Sequence, residues 1–292
     1  MNYVGDLFRP PSEGRSMIIQ ATVGCSHNQC TFCGAYKKKK FYIKDMATIK
    51  KDIDEASQYR NHFDKVFLAD GDVLIMPTSQ IIEILAYVYK KCPWTDRVGV
   101  YANTKAILKK TPEELKELHE AGIKIIYQGI ESGNKEVLRR IKKGAFPHKM
   151  LEASQKIIAS GMELSQTVLL GLGGQELSEE HAIDTGKLLS EMSPHYASAL
   201  TVMLLPYTEL GKAAAAGTFK LPTKFGMLKE LKLMIENMNM KRDCFFTSNH
   251  ASNYVPIRAH FPKEREPVLA LLSEIIATND EKLLRPEYMR AL

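Results

Sequence analysis

The sequence Ala21-Thr22-Val23-Gly24-Cys25-Ser26-His27-Asn28-Gln29-Cys30-Thr31-Phe32-Cys33-Gly34 holds three cysteines within nine residues and follows the apolar run Met17-Ile18-Ile19. Iron–sulfur clusters and zinc both accept thiolate ligands. Three thiolates on one loop can hold an iron–sulfur cluster and leave one iron without a protein ligand. The loop therefore predicts a metal site. An open iron in such a site would make it a potential catalyst rather than only an electron carrier.

Two other interpretations of this loop stay open from the residues alone. His27 lies between the first two cysteines and could complete a Cys₃His zinc site. The thiols could also bind no metal, although three cysteines this close together are improbable in a chain with only five. Cys92 and Cys244 are isolated from the loop, so we expect them to be packed in the core.

The composition is that of an ordinary globular protein. The 292 residues are 45% apolar and 25% charged, which predicts one large α/β domain or two smaller ones. No stretch is long and apolar enough to span a membrane, and the first residues lack the pattern of a signal peptide. An odd number of cysteines, three of them clustered, argues against a secreted disulfide framework. The sequence therefore predicts a cytoplasmic protein with no membrane segment.

A run of four lysines, Lys37-Lys38-Lys39-Lys40, follows the cysteine loop in a chain of net charge +6. A basic patch can attract nucleic acid or nucleotides. However, the excess charge is modest and no RNA-binding signature is visible. We therefore expect a solvated basic turn, and a nucleic-acid partner is not favoured.

Short apolar runs alternate with amphipathic stretches, which is the pattern of a parallel α/β fold. The predicted strands are residues 17–23, 65–69, 98–102, 124–130, 164–171 and 199–205. The predicted helices are residues 43–60, 135–142, 148–160, 223–239 and 264–277, and three more begin at Thr78, Thr111 and Ser178.

Six βα units in this order predict an α/β fold, a partial (β/α)₆ TIM-type barrel with parallel strands and a short C-terminal extension. We expect residues 1–13 to form an N-terminal arm, residues 14–244 the barrel, and residues 245–292 an extension that covers it. The loops after the carboxyl ends of barrel strands carry the chemistry in such folds. The cysteine loop follows the first predicted strand and so belongs with them.

Acidic residues and glycines stand at the ends of later strands. Asp70-Gly71-Asp72 follows the second strand, Glu131-Ser132 the fourth, and Gly171-Leu172-Gly173-Gly174 the fifth. Carboxylates can bind an ammonium or ribose hydroxyls, and glycines let a flat ring approach the backbone. Each segment alone is also typical of an ordinary turn or helix entry. Their recurrence at successive strand ends, after a three-cysteine loop, favours a cofactor site.

From about residue 14 to residue 208 the chain resembles the radical S-adenosylmethionine (radical SAM) superfamily, and more closely the branch that includes the MiaB, Elp3 and HemN types. The resemblance implies that Cys25, Cys30 and Cys33 bind a [4Fe–4S] cluster whose fourth iron is chelated by S-adenosylmethionine. The spacing here is Cys-x₄-Cys-x₂-Cys, one residue longer than the commonest family pattern.

The resemblance also implies which residues contact S-adenosylmethionine. Asp70-Gly71-Asp72 stands in the place of the Gly-Gly-Glu motif that receives the methionine ammonium, and Glu131-Ser132 matches an element that contacts the cofactor. Lys143 stands where many members have a cation facing the methionine carboxylate. The remaining implied contacts are Phe32, Gly171 and Gly173 near the adenine and Thr167 near the ribose.

The implied function is that of an enzyme whose reduced cluster cleaves S-adenosylmethionine to a 5′-deoxyadenosyl radical, which abstracts hydrogen from a substrate. No catalytic side chain beyond the cluster and cofactor is implied, and the partner is a one-electron reductant such as flavodoxin or ferredoxin. The lack of accessory domains favours a small-molecule substrate over tRNA or a peptide, and a non-catalytic iron–sulfur or zinc protein is the rival class. We expect the polar part of the extension to line the substrate end with Asn249, His250, Asn253 and Tyr254.

Overall fold

The structure is a computed structural model that describes residues 1–291. In chain order, its helices and strands are β1 (Met17–Gln20), β2 (Thr22–Val23), β3 (Tyr42–Ile43), α1 (Met46–Ala56), β4 (Lys65–Ala69), α2 (Thr78–Lys91), β5 (Arg97–Tyr101), α3 (Thr104–Lys109), α4 (Pro112–Glu120), β6 (Ile123–Glu131), α5 (Lys135–Arg140), α6 (Pro147–Ala159), β7 (Glu163–Leu170), α7 (Ser178–Met192), β8 (Tyr196–Thr201), α8 (Glu209–Ala215), α9 (Lys224–Glu236), β9 (Cys244–Thr247), β10 (Arg258–Phe261) and α10 (Arg265–Thr278).

The chain divides into two compact units. The first comprises Met1–Asn28, Ala35–Gln128 and Glu152–Leu164, and the second comprises Gln29–Gly34, Gly129–Leu151 and Ser165–Leu292. The boundary passes through the cysteine loop, so Cys25 belongs to the first unit while Cys30 and Cys33 belong to the second.

In the first unit, β1, β4, β5 and β6 pair in parallel in that order. Its core is aliphatic, built from residues such as Ile19, Leu68, Leu85 and Val100. The helix α4 begins as the sequence predicts, because Thr111 and Glu114 form a capping box on either side of its first turn. The near-continuous apolarity of the central strands is what a sheet covered on both faces requires.

In the second unit, β7 and β8 are parallel, β9 adds to β8 in parallel, and β10 returns antiparallel to β9. The predicted extension therefore starts inside a strand, since residue 245 lies within β9. The alternating burial of β10 has the period of two expected of a strand with one face on the core. The helix α10 packs on α9, with Val268, Leu269, Leu272 and Ile275 buried.

Two of the predicted strands differ from those observed by more than one residue at an end. The first ends at Gln20, because Thr22 and Val23 leave the main sheet and pair with Ile43 and Tyr42 instead. The sixth spans Tyr196–Thr201 rather than residues 199–205. Its apolar continuation does not pair as a strand; Leu204 instead packs on the core and Leu205 covers Gly34.

Among the helices of residues 1–291, none combines the length and the apolar character that crossing a bilayer requires.

Candidate functional site

The first half of the cysteine loop is tied to the end of β4. Asp70 accepts a hydrogen bond from the Gly24 amide at 3.1 Å, and the Gly71 amide donates to Gly24 O at 3.0 Å. A Cβ on Gly71 would lie 3.0 Å from Cys25 Cβ and 2.8 Å from the ring of Tyr36. Only a residue without a side chain fits between these groups, so Gly71 lets the strand end approach Cys25.

Asp70 is buried and neutralised by a lysine of the basic run. Lys39 Nζ lies 2.9 Å from Asp70 Oδ2, and both side chains are at most 8% exposed. Lys39 also donates to the carbonyl of Asp6 in the N-terminal arm and lies over the Tyr36 ring. The expected solvated turn is therefore wrong for Lys39, because its ammonium balances a carboxylate that would otherwise be buried with an uncompensated charge.

Asp72 is also fully buried, and it holds the loop from the other side. It accepts hydrogen bonds from the Ser26 hydroxyl and from Asn103 Nδ2, the latter at 2.6 Å. Burial raises the pKa of Asp72 to about 6, while the bonds from Ser26 and Asn103 act in the opposite direction. Asp72 thus links the residue after Cys25 to Asn103, which caps α3.

The second half of the loop is fixed by backbone hydrogen bonds in the second unit. The Thr31 amide donates to Ile141 O at 2.9 Å, and Thr31 O accepts from the Leu210 amide at 3.0 Å. Phe32 packs against the core of this unit. A Cβ on Gly34 would lie 2.3 Å from Leu205 Cδ1 and 2.6 Å from Tyr207 Oη, so a larger residue after Cys33 would displace these two side chains.

Three buried oxygens in or beside the loop have no hydrogen-bond partner among residues 1–291: Asn28 Oδ1, Thr31 Oγ1 and Asp70 Oδ1. Buried polar atoms are normally paired, because leaving one unpaired costs free energy. Within residues 1–291, no three His, Cys, Asp or Glu side chains gather closely enough to hold a single metal ion.

Glu131 ends β6 in a conformation uncommon for a residue with a side chain, with φ of +66°. Its Oε1 lies 2.9 Å from Lys143 Nζ, and the two side chains are only 12% and 15% exposed. A Cβ on Gly129 would lie 2.2 Å from the same Oε1. The glycine two residues before Glu131 therefore makes room for the carboxylate.

Ser132 is fully buried and faces α7. Its Oγ lies 2.7 Å from His181 Nδ1 and accepts a hydrogen bond from the Asn134 amide at 3.0 Å. The Gly133 amide donates to Thr185 Oγ1 at 2.8 Å. Ser132 Oγ therefore bonds to other groups of the protein, and Glu131 is slightly more exposed than Ser132.

The glycine segment after β7 is held by a buried carboxylate. The Gly171 amide donates to Glu230 Oε1 at 2.6 Å, and Gly171 has φ of +87°, which favours glycine. A Cβ on Gly173 would lie 2.6 Å from Leu177 O. Thr167 is half-buried on β7, opposite Ser198 of β8.

The polar residues predicted for the substrate end make mostly internal contacts. Asn253 donates to Ala199 O and accepts from Thr201 Oγ1, at 2.8 and 2.9 Å, so it ties the extension to β8. Tyr254 donates to Glu287 at 2.6 Å. His250 Nδ1 lies 2.9 Å from Ser252 Oγ, and the amide of Asn249 lies 2.9 Å from the Arg258 guanidinium.

The chain was compared with known proteins by sequence and by structure. The model of the Radical SAM superfamily matches residues 19–189, which is more than half of the chain. In a sequence comparison, no curated protein matches.

Solved structures share the fold. Methylornithine synthase (PylB) superposes with a TM-score of 0.55 at 17% identity, covering 77% of this chain and 63% of that one. Coproporphyrinogen III oxidase (HemN) from Escherichia coli gives 0.56 at 17% identity, with 76% and 51% covered. An N-terminally truncated Elp3 from Methanocaldococcus infernus gives 0.51 at 14% identity, with 80% and 58% covered. These likenesses confirm the predicted fold class. The chain spans only 51–63% of the length of these three neighbours.

Proposed function

The chain belongs to the radical SAM superfamily, and on that premise we propose that it is an enzyme that cleaves S-adenosylmethionine reductively, with Cys25, Cys30 and Cys33 as the ligands of its [4Fe–4S] cluster. Superfamily membership supports both cofactors. The observation that carries the residue assignment is the packing of the cysteine loop. Gly71 packs directly against Cys25, and Gly34, the residue after Cys33, packs against Leu205.

The residues present fit these groups. Soft thiolates suit an iron–sulfur cluster, and the unpaired buried oxygens of Asn28, Thr31 and Asp70 suit a ligand rich in hydrogen-bond donors. When bound, the cluster supplies the electron that cleaves S-adenosylmethionine to methionine and a 5′-deoxyadenosyl radical, which takes hydrogen from the substrate.

The side chains of this chain would bind and orient the cofactor. The methionine end of S-adenosylmethionine bears an ammonium and a carboxylate. We assign the ammonium to Asp70-Gly71-Asp72, where Asp70 Oδ1 is the acceptor left over after Lys39 and Gly24 occupy Oδ2. We assign the carboxylate to Lys143 and further donors of the cofactor to Glu131. This pair of opposite charges complements a ligand that carries both signs.

The adenosine end would lie against backbone and apolar surface. We assign Phe32 and the segment Gly171–Gly173 to the adenine, and Thr167 to the ribose. A hydroxyl offers one donor and two acceptor positions to ribose hydroxyls. Ser132 is fully buried, so we propose that its contribution is made through the loop it anchors rather than by direct contact.

The substrate is proposed to be a small molecule, with tRNA or a peptide as the alternative within the same superfamily. The reductant is proposed to be a one-electron carrier such as flavodoxin or ferredoxin. Exclusion of water around the reacting groups is the part that the protein contributes to such chemistry.

The test is anaerobic reconstitution followed by iron analysis and product detection. We expect four irons per chain and the release of 5′-deoxyadenosine and methionine in the presence of a strong reductant. Replacing Cys25, Cys30 or Cys33 singly with alanine should abolish cleavage, while Cys92→Ala, a change at a buried cysteine outside the loop, should not. One zinc and no iron in the wild type, or full activity in all three loop variants, would refute the proposal.

A further inference from the structure

A histidine and a glutamate lie buried together in the second unit, behind two of the segments assigned to the cofactor. His181 of α7 is 1% exposed and Glu230 of α9 is 2% exposed. His181 Nε2 lies 3.5 Å from Glu230 Oε1. A buried polar group without a hydrogen-bond partner costs free energy. The partners of the imidazole nitrogens and of the carboxylate oxygens therefore indicate what the pair does.

The hydrogen bonds show which ring nitrogen of His181 carries a proton. His181 Nε2 lies 3.1 Å from Leu169 O, an atom that can only accept, so this nitrogen must donate. Its Nδ1 lies 2.7 Å from Ser132 Oγ, which already accepts from the Asn134 amide. The Ser132 hydroxyl proton is therefore free to donate to Nδ1. His181 thus links the Ser132 hydroxyl to Leu169 O through its two ring nitrogens.

Glu230 acts on the glycine segment after β7. Its Oε1 accepts from the Gly171 amide at 2.6 Å, and its Oε2 accepts from the Ser178 hydroxyl. Burial raises the pKa of Glu230, and the neighbouring His181, Ser178 and Gly171 oppose that rise. The carboxylate thus fixes the left-handed turn at Gly171 to the start of α7.

The same stretch of α7 also contacts the loop after β6. The Gly133 amide donates to Thr185 Oγ1, and a Cβ on Gly133 would lie 2.2 Å from Asp184 O. A Cβ on Gly173 would lie 3.2 Å from His181 Cβ. Both segments are therefore pressed against one face of α7, with the imidazole and the carboxylate between them.

We infer that His181 and Glu230 are positioning residues that hold the Glu131–Gly133 loop and the Gly171–Gly173 segment in the arrangement that binds S-adenosylmethionine, an inference that rests on the proposed function. Neither side chain is itself assigned to the cofactor. Each acts through a segment assigned to the cofactor. His181 bonds to Ser132, the neighbour of Glu131, and Glu230 accepts from the Gly171 amide.

If the two residues had a purely structural role, replacing them would lower stability without changing cofactor affinity. The test therefore measures both stability and affinity. The reconstituted holoenzyme is reduced, and its EPR spectrum is followed as S-adenosylmethionine is added, which gives a dissociation constant without turnover. The variants are His181→Phe, which fills the space but breaks both hydrogen bonds, and Glu230→Met, which leaves the Gly171 amide unpaired. Leu189→Ala, a fully buried change on α7 outside this network, is the matched control.

We expect either variant to raise the dissociation constant roughly tenfold or more, equivalent to about 1.4 kcal/mol, while the cluster spectrum without cofactor stays as in the wild type. Leu189→Ala should lower the thermal midpoint but keep the wild-type affinity. In His181→Asn the side-chain amide can still bond to Ser132 Oγ, so this variant should bind S-adenosylmethionine more tightly than His181→Phe does.

Two failures are distinguishable. A wild-type spectrum that does not respond to S-adenosylmethionine would overturn the proposed function and the inference with it. A wild type that responds, with folded His181→Phe and Glu230→Met variants that bind with unchanged affinity, would overturn the inference alone. If only one of the two variants folds, that variant decides.

Discussion

Lys143 Nζ lies 2.9 Å from Glu131 Oε1, so two residues that the sequence suggested separately for cofactor contact form one ion pair. Both side chains are largely buried, and opposite charges attract more strongly there than they do in water. Gly129 creates the space for the carboxylate, and the left-handed turn at Glu131 directs the chain back towards α5. A ligand that bears a carboxylate and hydrogen-bond donors offers a partner to Lys143 and to Glu131, respectively.

The first prediction concerns this ion pair. Glu131→Ala and Lys143→Met should each weaken binding of S-adenosylmethionine, because each removes a charge-assisted contact worth about 1.5–3 kcal/mol, or roughly ten- to a hundredfold in affinity. Titration of the reduced holoenzyme measures this. Glu136→Ala is the control, since Glu136 pairs only with exposed Arg139 and Arg140 on α5. Equal affinities in the Glu131 and Glu136 variants would remove Glu131 from the site.

The second prediction uses Gly129 to move Glu131 without deleting it. A Cβ at Gly129 would lie 2.2 Å from Glu131 Oε1, so Gly129→Ala must displace the carboxylate from Lys143. We expect a loss of cofactor affinity close to that of Glu131→Ala, and little further loss in the double variant, because residues that act through one contact are not additive. Gly14→Ala, at a glycine with φ of −53° where an added Cβ would lie 3.2 Å from Pro11 O, should leave the cofactor affinity unchanged. Full additivity would contradict the mechanism.

Much of the candidate site could be proposed from the sequence because its signals are local. Three cysteines on one loop and glycines at strand ends are readable without a structure. Lys39 was not, because nothing in a run of four lysines distinguishes the one that reaches Asp70. Ser26, Asn103, His181 and Glu230 were also missed, since each gains its role from a partner distant in the sequence. The only local hint was the His181–Thr185 spacing, which puts both on one face of α7.

The order of the βα units was predicted from the sequence, but the shortest strands and helices were not. β9 and β10 have four residues each, too short for a clear period, and α3 and α8 are only six and seven residues long. Short elements depend on their neighbours: Asn253 bonds to β8 through the backbone of Ala199, a contact that no local pattern indicates.

The third prediction concerns Asn253. Asn253→Ala should lower the free energy of unfolding, because Ala199 O and Ser248 O each lose a buried donor, and an unpaired buried group costs about 1–3 kcal/mol. Urea unfolding measures the change. Asn249→Ala, at a less buried residue of the same segment, should cost less. Unchanged stability in the Asn253 variant, together with a raised KM for the true substrate, would instead favour a substrate contact.

The last prediction is the pH dependence set by His250. Burial lowers the pKa of His250 below its usual 6.5, and the nearby Arg285 lowers it further. The Ser252 amide donates to His250 Nδ1 at 3.1 Å, so protonating that nitrogen breaks the bond. The folded protein then binds fewer protons than the unfolded chain between the two pKa values, and stability must fall as the pH drops below about 6.5. His250→Gln should flatten the decline in unfolding free energy between pH 7.5 and pH 5, whereas His62→Gln, at an exposed histidine, should leave the slope unchanged. A wild-type slope in the His250 variant would show that this histidine is protonated at no cost to the folded extension.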